Sequence, residues 1–413
     1  MSIKTMKVRY GENGRDQRDA IVAGQFWDAE RRDIRLFVER DGKALDVSDA
    51  ICEVMGKYTP QRDILIGANK GAFNPNLERM LLFSDRMAEA ADLAYYKNTS
   101  LYEVLVRAAE KVKDGIDVKT LETVPDRRTK HLVTPVITGK EVGFGVTYHA
   151  SQTGRSEQAD IIAAIKGVGD PGKDIYLKAK TAAAEGKRVE VFDKAKERHH
   201  YVAPNGFAGL RNDILLDGKR IYSAIEPELG GLMNMKARVV VAYAVSNDVS
   251  ANLLEGEDAL WLPQAKVSIG CFAYGPKLIV LAEPTNEIPF FDIEARIIRD
   301  KQTCERFDGN GRKVREPYRF NAQQIVTGTY DLMFRTMNSN DIHRTHVFGT
   351  FGAGAVPSNH SDKTYLPGDE WEIVLMNDPS FALRGGVKMI PLQGPDRHIN
   401  LNYEFIMIHK PKE

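Results

Sequence analysis

The apolar, β-branched segment at 237–246 most constrains the fold, because runs of this kind are typical of β-strands and an acidic residue follows this one closely. The segment leads into Asp248, where the strand should give way to a loop. Before it, Glu226 and Glu228 stand two residues apart, and residues i and i+2 of a strand point to the same face. A third carboxylate from the next strand would complete a site of hard oxygen ligands.

Two carboxylates on one face repel each other unless a cation lies between them. No Cys or His accompanies Glu226, Glu228 and Asp248, so the pattern favours Mg²⁺, with Mn²⁺ or Ca²⁺ as alternatives, over zinc. Lys266, a solitary lysine further along, is expected to offset the excess negative charge or to hold a substrate oxygen. The competing interpretation is that the acids are exposed on an ordinary sheet.

Composition excludes several classes of protein. The 413 residues contain 57 Lys and Arg against 57 Asp and Glu, so no basic excess predicts a nucleic-acid partner. The sequence contains no run of 18 apolar residues, so it predicts no membrane span. The N-terminal stretch lacks the apolar core of a signal peptide. The three cysteines are widely spaced and form no Cys-x-x-Cys motif. We therefore expect a cytoplasmic protein that binds neither nucleic acid nor membrane.

Many strands and few helices are predicted. Periodicity indicates further strands at 34–40, 142–148, 277–282, 290–299, 371–376 and 401–408. Helices are predicted at 76–97, at 156–166, at 320–338 and from Ser100, where Ser100 and Glu103 match a capping box. The sequence FDGNG at 307–311 is typical of a hairpin turn. These elements favour a β-rich α+β fold.

The pattern of strands and helices dissolves between residues 113 and 135, which predicts a boundary between two parts of the chain. We expect a smaller N-terminal α/β region at 1–135, whose role the sequence does not indicate. The main domain is expected at 136–413.

The order of the motifs resembles that of the fumarylacetoacetate hydrolase superfamily, over roughly residues 140–410. The matching pieces are GFGVTY (143–148), EPEL (226–229), SNDVS (246–250), LPQAK (262–266) and YGPKLI (274–279), with looser matches at 349–350 and 366–373. The resemblance implies a mixed β-sandwich roll that usually forms a homodimer. It also implies that Glu226, Glu228 and Asp248 hold a divalent cation, that Lys266 contacts the substrate, and that Thr350 lies near the substrate carboxylate.

The stretch TYHASQTGRSEQ at 147–158 distinguishes two branches of this superfamily. Hydrolases of the superfamily carry Tyr-x-x-His-x-x-Glu, a pair that activates water, but here Ser151 and Gly154 stand at the His and Glu positions. The stretch is similar instead to the 2-keto-3-deoxy sugar acid (pentonate) dehydratase branch. The residues that match this branch are Thr147, Tyr148, Ser151, Arg155, Glu157 and, further on, Glu255.

By this resemblance, Tyr148, Glu157 and Lys266 are candidate catalytic residues. Ser151, Arg155, Glu255 and Thr350 are candidate substrate-binding residues. Two of these have alternative interpretations. Arg155 can clamp a carboxylate bidentately or can pair with a surface acid. Glu157 can act as a general acid, as a fourth metal ligand or as a helix cap.

The resemblance implies a Mg²⁺-dependent dehydratase acting on a 2-oxo acid, a 2-keto-3-deoxypentonate, through a metal-stabilised enolate to give 2-oxoglutarate semialdehyde. Two departures from the family pattern, at Ala251-Asn252 and in GTFGAGAVP at 349–357, indicate that substrate choice differs. The alternatives are a carbon–carbon bond hydrolase of acylpyruvates or fumarylacetoacetate, and a non-catalytic paralogue that binds a metabolite.

Overall fold

The fold is taken from a computed structural model. It describes residues 5–56, 100–122, 128–136, 141–145, 147–148, 190–193, 207–210, 215–216, 219–220, 225–235, 237–250, 265–266, 272–307, 312–325, 330, 333–335, 346–352 and 368–389. The strands are β1 (Met6–Tyr10), β2 (Asp16–Asp28), β3 (Asp33–Arg40), β4 (Lys43–Asp46), β5 (Ile116–Asp117), β6 (His131–Val133), β7 (Glu141–Gly145), β8 (Glu190–Asp193), β9 (Phe207–Leu210), β10 (Leu215–Leu216), β11 (Lys219–Arg220), β12 (Pro227–Asn234), β13 (Val239–Asp248), β14 (Phe272–Thr285), β15 (Asp292–Arg299), β16 (Gln302–Thr303), β17 (Arg306–Phe307), β18 (Lys313–Val314), β19 (Tyr318–Asn321), β20 (His346–Gly352), β21 (Glu370–Leu375) and β22 (Ala382–Met389). The α-helices are α1 (Ser48–Gly56), α2 (Leu101–Glu110) and α3 (Val118–Leu121), and short 3₁₀ turns lie at Glu12–Gly14 and Ala322–Gln324.

Two sheets dominate the described part of the chain. The main sheet has 12 strands in the order β5-β4-β3-β2-β14-β13-β12-β20-β7-β8, and β1 and β6 also pair with β2. The second sheet has six strands in the order β16-β15-β21-β22-β9, and β19 pairs with β15. Their pairings are antiparallel except for β20 with β7 and β22 with β9. The prediction of a β-rich fold with few helices is therefore confirmed.

The main sheet buries both of its faces. One face packs against the second sheet, through Leu229, Tyr243 and Val245 on the main sheet and Ile293, Trp371 and Ile373 on the second sheet. The opposite face is covered by α1 and α2, through Leu232, Ala242 and Ala244 on the sheet and Ile51, Leu105 and Ala108 on the helices. Successive side chains of a strand point to opposite faces, which is why neighbouring residues of β12 and β13 enter different cores. Burial on both faces also explains why β13 is apolar almost throughout.

The N-terminal strands form part of the main sheet. Residues of β2 pair with β14, for example Ala23 with Leu278, and the other edge of β2 pairs with β3. The N-terminal region thus shares a hydrogen-bonded sheet with β12 and β13, and the predicted boundary near residue 135 stays a prediction.

Most predicted elements within the described residues are confirmed. The segments at 34–40, 237–246, 277–282, 290–299 and 371–376 correspond to β3, β13, β14, β15 and β21. The hairpin turn predicted at 307–311 falls between β17 and β18, which pair antiparallel, but residues 308–311 lie outside the described residues. Ser100 caps α2, because its side chain accepts a hydrogen bond from the Glu103 backbone N–H at 3.2 Å. The strand expected at 142–148 ends at Gly145. The elements predicted at 76–97, 156–166 and 401–408 lie outside the described residues.

The predicted helix at 320–338 is wrong at its start. Phe320 lies in β19 opposite Ile293, and its burial in the core between the sheets outweighs the helical period of the sequence. A capping box then forms around the 3₁₀ turn, because the Asn321 side chain accepts from the Gln323 N–H and the Gln324 side chain accepts from the Asn321 N–H. Helical backbone occurs only further on, at 330 and 333–335 within the described residues. No described helix has the length and apolar character needed to cross a membrane.

Candidate metal centre

Three buried carboxylates converge where β12 begins and β13 ends. Glu226 immediately precedes β12, Glu228 lies in it, and Asp248 is the last residue of β13. Because Glu228 pairs with Ser246, Glu226 lies opposite Asp248, whose backbone N–H donates to the Glu226 carbonyl oxygen at 2.9 Å. One carboxylate oxygen from each acid lies within 4.8 Å of the others, and all three residues are buried. The structure thus brings together the three acids that the sequence singled out, and their role as ligands stays a prediction.

The spacing of the three oxygens suits one cation. Oxygens on opposite sides of an ion lie about 4.2 Å apart around Mg²⁺ and about 4.8 Å apart around Ca²⁺, which is twice the metal–oxygen distance. Carboxylate oxygens are also the donor atoms that these ions prefer. Buried carboxylates that carry a charge need a nearby cation or several hydrogen bonds to be stable. Glu226, Glu228 and Asp248 can therefore hold a single divalent ion.

Lys266 lies among these carboxylates. Its ammonium group donates to Glu226 Oε2 at 2.6 Å, to Asp248 Oδ2 at 2.8 Å and to the hydroxyl oxygen of Ser250. The lysine is buried, so these contacts are only weakly screened by solvent. The expectation that Lys266 offsets negative charge at this place agrees with its contacts.

Ser250 is a residue of the site that sequence reasoning did not select. Its hydroxyl donates to the Asp248 carbonyl oxygen at 2.9 Å, and its oxygen accepts from Lys266. Ser250 is fully buried and stands two residues after Asp248 in the motif SNDVS. The motif SNDVS is the sequence signal that could have indicated Ser250. Serine is common in loops after strands, however, and its spacing from Asp248 does not distinguish a partner of Lys266.

Two aromatic residues form a wall beside the carboxylates. Phe272 pairs with Asp248 and Tyr274 pairs with Ser246 across β13 and β14, so both belong to the carboxylate face of the sheet. Their ring centroids are 5.3 Å apart, and the Tyr274 hydroxyl donates to the Val136 carbonyl oxygen at 2.6 Å. An apolar wall lowers the local dielectric constant, which strengthens charge–charge interactions in the site.

Tyr148 is buried close to the site, but its hydroxyl is engaged elsewhere. The hydroxyl donates to the Ala322 carbonyl oxygen at 2.8 Å, and the ring packs edge-on against Phe320 with centroids 5.8 Å apart. Burial raises the pKa of the Tyr148 phenol well above its usual value, and the negative charge of Glu228 raises this pKa further. Tyr148 is therefore a neutral phenol near neutral pH, and its catalytic role stays a prediction.

The remaining predicted site residues are placed only in part. The backbone of Thr350 lies in β20 opposite Gly230. Gly230 follows Glu228 by two positions, so position 350 belongs to the carboxylate face of the sheet. Ser151, Arg155, Glu157 and Glu255 lie outside the described residues.

Comparison with known sequences gives two related enzymes, while no family model matches the chain. A 2-dehydro-3-deoxy-D-arabinonate dehydratase from Saccharolobus solfataricus is 28% identical over 212 residues, 51% of this chain and 64% of the relative. A protein named probable 2-keto-3-deoxyxylonate dehydratase, from Haloferax volcanii, is 30% identical over 203 residues, 48% of this chain and 62% of the relative. The matches thus span less than two thirds of each relative.

Solved structures share the fold. The apo form of 2-keto-3-deoxy-D-arabinonate dehydratase superposes with a TM-score of 0.55 at 18% identity, covering 90% of this chain and 100% of the other. The form complexed with magnesium and 2,5-dioxopentanoate gives a TM-score of 0.55 at 19% identity with the same coverage. The predicted similarity to 2-keto-3-deoxypentonate dehydratases agrees with the names of both sequence relatives.

Proposed function

We propose that the protein is a Mg²⁺-dependent dehydratase of a 2-keto-3-deoxypentonate that produces 2-oxoglutarate semialdehyde, also called 2,5-dioxopentanoate. The observation that carries this proposal is the convergence of Glu226, Glu228 and Asp248 at buried positions on this fold. Support also comes from the sequence relatives, which are dehydratases of such acids, and from the solved dehydratase complexed with magnesium and 2,5-dioxopentanoate.

Each carboxylate would contribute an oxygen to Mg²⁺, and the bound ion supplies Lewis acidity that makes the C3 proton of a chelated 2-oxo acid more acidic. Lys266 is buried at the centre of the site, so its ammonium group is placed to stabilise negative charge on the 2-oxo oxygen as the enolate forms. The aromatic wall of Phe272 and Tyr274 limits the access of water to this charge.

Loss of water needs an acid for the C4 hydroxyl. We assign this role to Glu157, which could alternatively serve as a fourth metal ligand. We also propose a catalytic role for Tyr148, whose phenol is neutral because burial raises its pKa. Ser151, Arg155, Glu255 and Thr350 are assigned to substrate binding.

The reaction removes one water from the substrate. One proton leaves C3, the C4–O bond breaks, and one water departs. A proton then moves from C5 to C3, which gives an enol between C4 and C5. Transfer of the enol hydroxyl proton to C4 yields the C5 aldehyde and balances the reaction.

The two packed sheets would form the mixed β-sandwich roll of the superfamily, with residues 136–413 as the catalytic domain and residues 1–135 as a smaller α/β region. We further propose that the protein is a cytoplasmic homodimer with a small 2-oxo acid as its substrate.

The proposed reaction is tested by mixing the purified protein with Mg²⁺ and 2-keto-3-deoxypentonate and recording proton NMR spectra. An aldehyde resonance should appear and should vanish when EDTA removes the metal. Release of pyruvate from an acylpyruvate, without an aldehyde from the sugar acid, would instead show the hydrolase. Tight binding of pyruvate or oxalate without turnover of any sugar acid would show the non-catalytic paralogue.

A further inference from the structure

The ammonium group of Lys266 has three N–H donors, and each has an acceptor in the structure. The acceptors are Glu226, Asp248 and Ser250. Two of them are the carboxylates that the proposed function assigns to the metal. The lysine therefore occupies one oxygen on each of two carboxylates that a divalent cation needs.

We propose that Lys266 competes with the divalent cation for the carboxylates of Glu226 and Asp248, and that Ser250 retains the ammonium group when the cation takes them. The inference rests on the proposed function, because it needs the metal to bind at this place. Lys266 and a divalent ion repel each other when both contact the same two carboxylates at low dielectric. The lysine must then loosen its contacts with Glu226 and Asp248.

Ser250 is suited to retain the ammonium group, because its hydroxyl has a single hydrogen. That hydrogen is donated to the Asp248 carbonyl oxygen at 2.9 Å, so the lone pairs of the Ser250 oxygen are left to accept from Lys266. The hydroxyl is neutral, and it is not one of the three carboxylates that form the cation site.

A functional order of events follows from this arrangement. While Lys266 contacts both carboxylates, it has no N–H donor left for a substrate oxygen. When the carboxylates go to the cation, one or two of these donors become available, and Ser250 holds the nitrogen in place. Lys266 is then ready for the 2-oxo acid only after the metal has bound, so the metal should bind before the substrate.

The competition is tested by titrating Mg²⁺ into the protein without substrate and measuring the dissociation constant by calorimetry. In Lys266→Met the competing charge is gone, and the dissociation constant for Mg²⁺ should fall about tenfold relative to the wild type. Lys130→Met is the control, because Lys130 also lies between two carboxylates, Asp28 at 3.5 Å and Glu30 at 3.3 Å, neither of which is a predicted metal ligand. This control should leave the dissociation constant unchanged. A constant in Lys266→Met that is equal to or larger than that of the wild type would overturn the competition.

Folding and metal binding are separated by measuring thermal unfolding with and without Mg²⁺. Lys266→Met removes the ammonium group that compensates the acids, so the variant should unfold at a lower temperature than the wild type. Its unfolding temperature should also rise more than that of the wild type when Mg²⁺ is added. Lys266→Gln, which keeps N–H donors without the charge, provides a second variant with the same expected shift. If the wild type itself does not bind Mg²⁺, the proposed function fails; if it binds and both variants bind equally well, only the competition fails.

The role of Ser250 as a positioning residue has its own test. In Ser250→Ala the ammonium group loses its neutral acceptor, so kcat of the Mg²⁺-loaded enzyme should fall about tenfold while KM changes little. Ser250→Thr keeps the hydroxyl and should restore most of the loss. Unchanged kcat in Ser250→Ala, or equal losses in the alanine and threonine variants, would overturn this role.

Discussion

Glu228 is buried in β12, and a buried carboxylate is stable only when a cation or hydrogen bonds compensate its charge. Glu228→Gln removes one formal charge with almost no change in volume. We expect Mg²⁺ affinity to fall at least about tenfold, because one anionic ligand of three is lost, while the circular dichroism spectrum stays that of the wild type. Glu370→Gln, at an exposed position of the second sheet, is the control and should bind Mg²⁺ normally. Equal affinities in the two variants would remove Glu228 from the ligand set.

Three buried tyrosines make the protein sensitive to alkaline pH. Burial raises the pKa of Tyr148, Tyr243 and Tyr330 well above the usual value in the folded state. The folded state therefore favours the neutral phenols. Their contribution to stability is fully present below the unfolded-state pKa of about 10 and is lost as the pH rises above it. We expect the unfolding temperature to fall steeply between about pH 10 and pH 12.

The Tyr243→Phe variant checks the cause of this alkaline loss. It removes one ionisable group together with the hydrogen bond that the Tyr243 hydroxyl donates to the Glu287 carbonyl oxygen at 3.0 Å. Stability at neutral pH should fall by about 1 kcal/mol, and the loss above pH 10 should be smaller than in the wild type. A parallel pH dependence of unfolding temperature in both proteins would contradict the assignment.

Among the residues of the site, the three carboxylates could be predicted from the sequence. The hydrogen bonds that Lys266 donates to two of them could not. The spacing of Glu226 and Glu228 is local, and Asp248 ends a strand that its apolar, β-branched run identifies. The contacts of Lys266 with Glu226 and Asp248 depend on how separate parts of the chain meet, which no local pattern encodes.

At the scale of elements, Gly275 in β14 packs closely against Pro135, which lies two residues after β6 ends. Its φ of +118° is one that side chains rarely adopt, and a Cβ there would lie 2.8 Å from the Pro135 side chain. Gly42 also has a positive φ, +75°, but a Cβ would meet nothing within 4 Å. We expect Gly275→Ala to lower the free energy of unfolding by about 1–3 kcal/mol more than Gly42→Ala does, as measured by urea denaturation. Equal losses would show that the contact with Pro135 is easily relieved.

Strands were predicted more successfully than helices because β-branched runs bounded by turns are distinctive. The segment at 290–299 alternates apolar and polar residues and becomes β15, with one face in the core. The segment at 320–338 has a helical period as well, yet Phe320 is drawn into the core as part of β19. Tertiary packing decides such cases, and it has no signature within a short window of sequence.

At the scale of the molecule, Lys277 connects the N-terminal region to the second sheet. It is fully buried, and its ammonium group donates to Glu39 Oε2 at 2.7 Å and to Ser380 Oγ at 3.1 Å, while it lies 4.8 Å from the centre of the Phe381 ring. Glu39 belongs to β3, and Phe381 immediately precedes β22. One buried side chain thus holds three separate stretches of chain together.

The Lys277→Met variant tests this connection. It leaves Glu39 with an uncompensated charge in a mostly buried position, and we expect it to cost about 3–5 kcal/mol in the free energy of unfolding. The double variant Glu39→Gln/Lys277→Met removes both charges and should recover a large part of this loss. Additive losses in urea denaturation would show that the two residues do not interact energetically.

The participation of the N-terminal strands in the main sheet was not predictable from the sequence. The pairing of Ala23 with Leu278 joins residues that are far apart in the chain, and no local pattern indicates which distant strands will pair. The loss of strand and helix patterns at 113–135 predicts a boundary, which stays a prediction, and it gives no indication that β2 and β14 share one hydrogen-bonded sheet.

The position of β2 also governs how the protein can be made. On a ribosome, β2 emerges long before β14. The edge of β2 that pairs with β14 therefore lacks its hydrogen-bonding partner while most of the chain is synthesised. Ile21 and Ala23 belong to β2 and are buried in the folded protein. Nascent chains should therefore depend on chaperones until β14 has left the exit tunnel, and refolding from denaturant should be slow and prone to aggregation at high protein concentration.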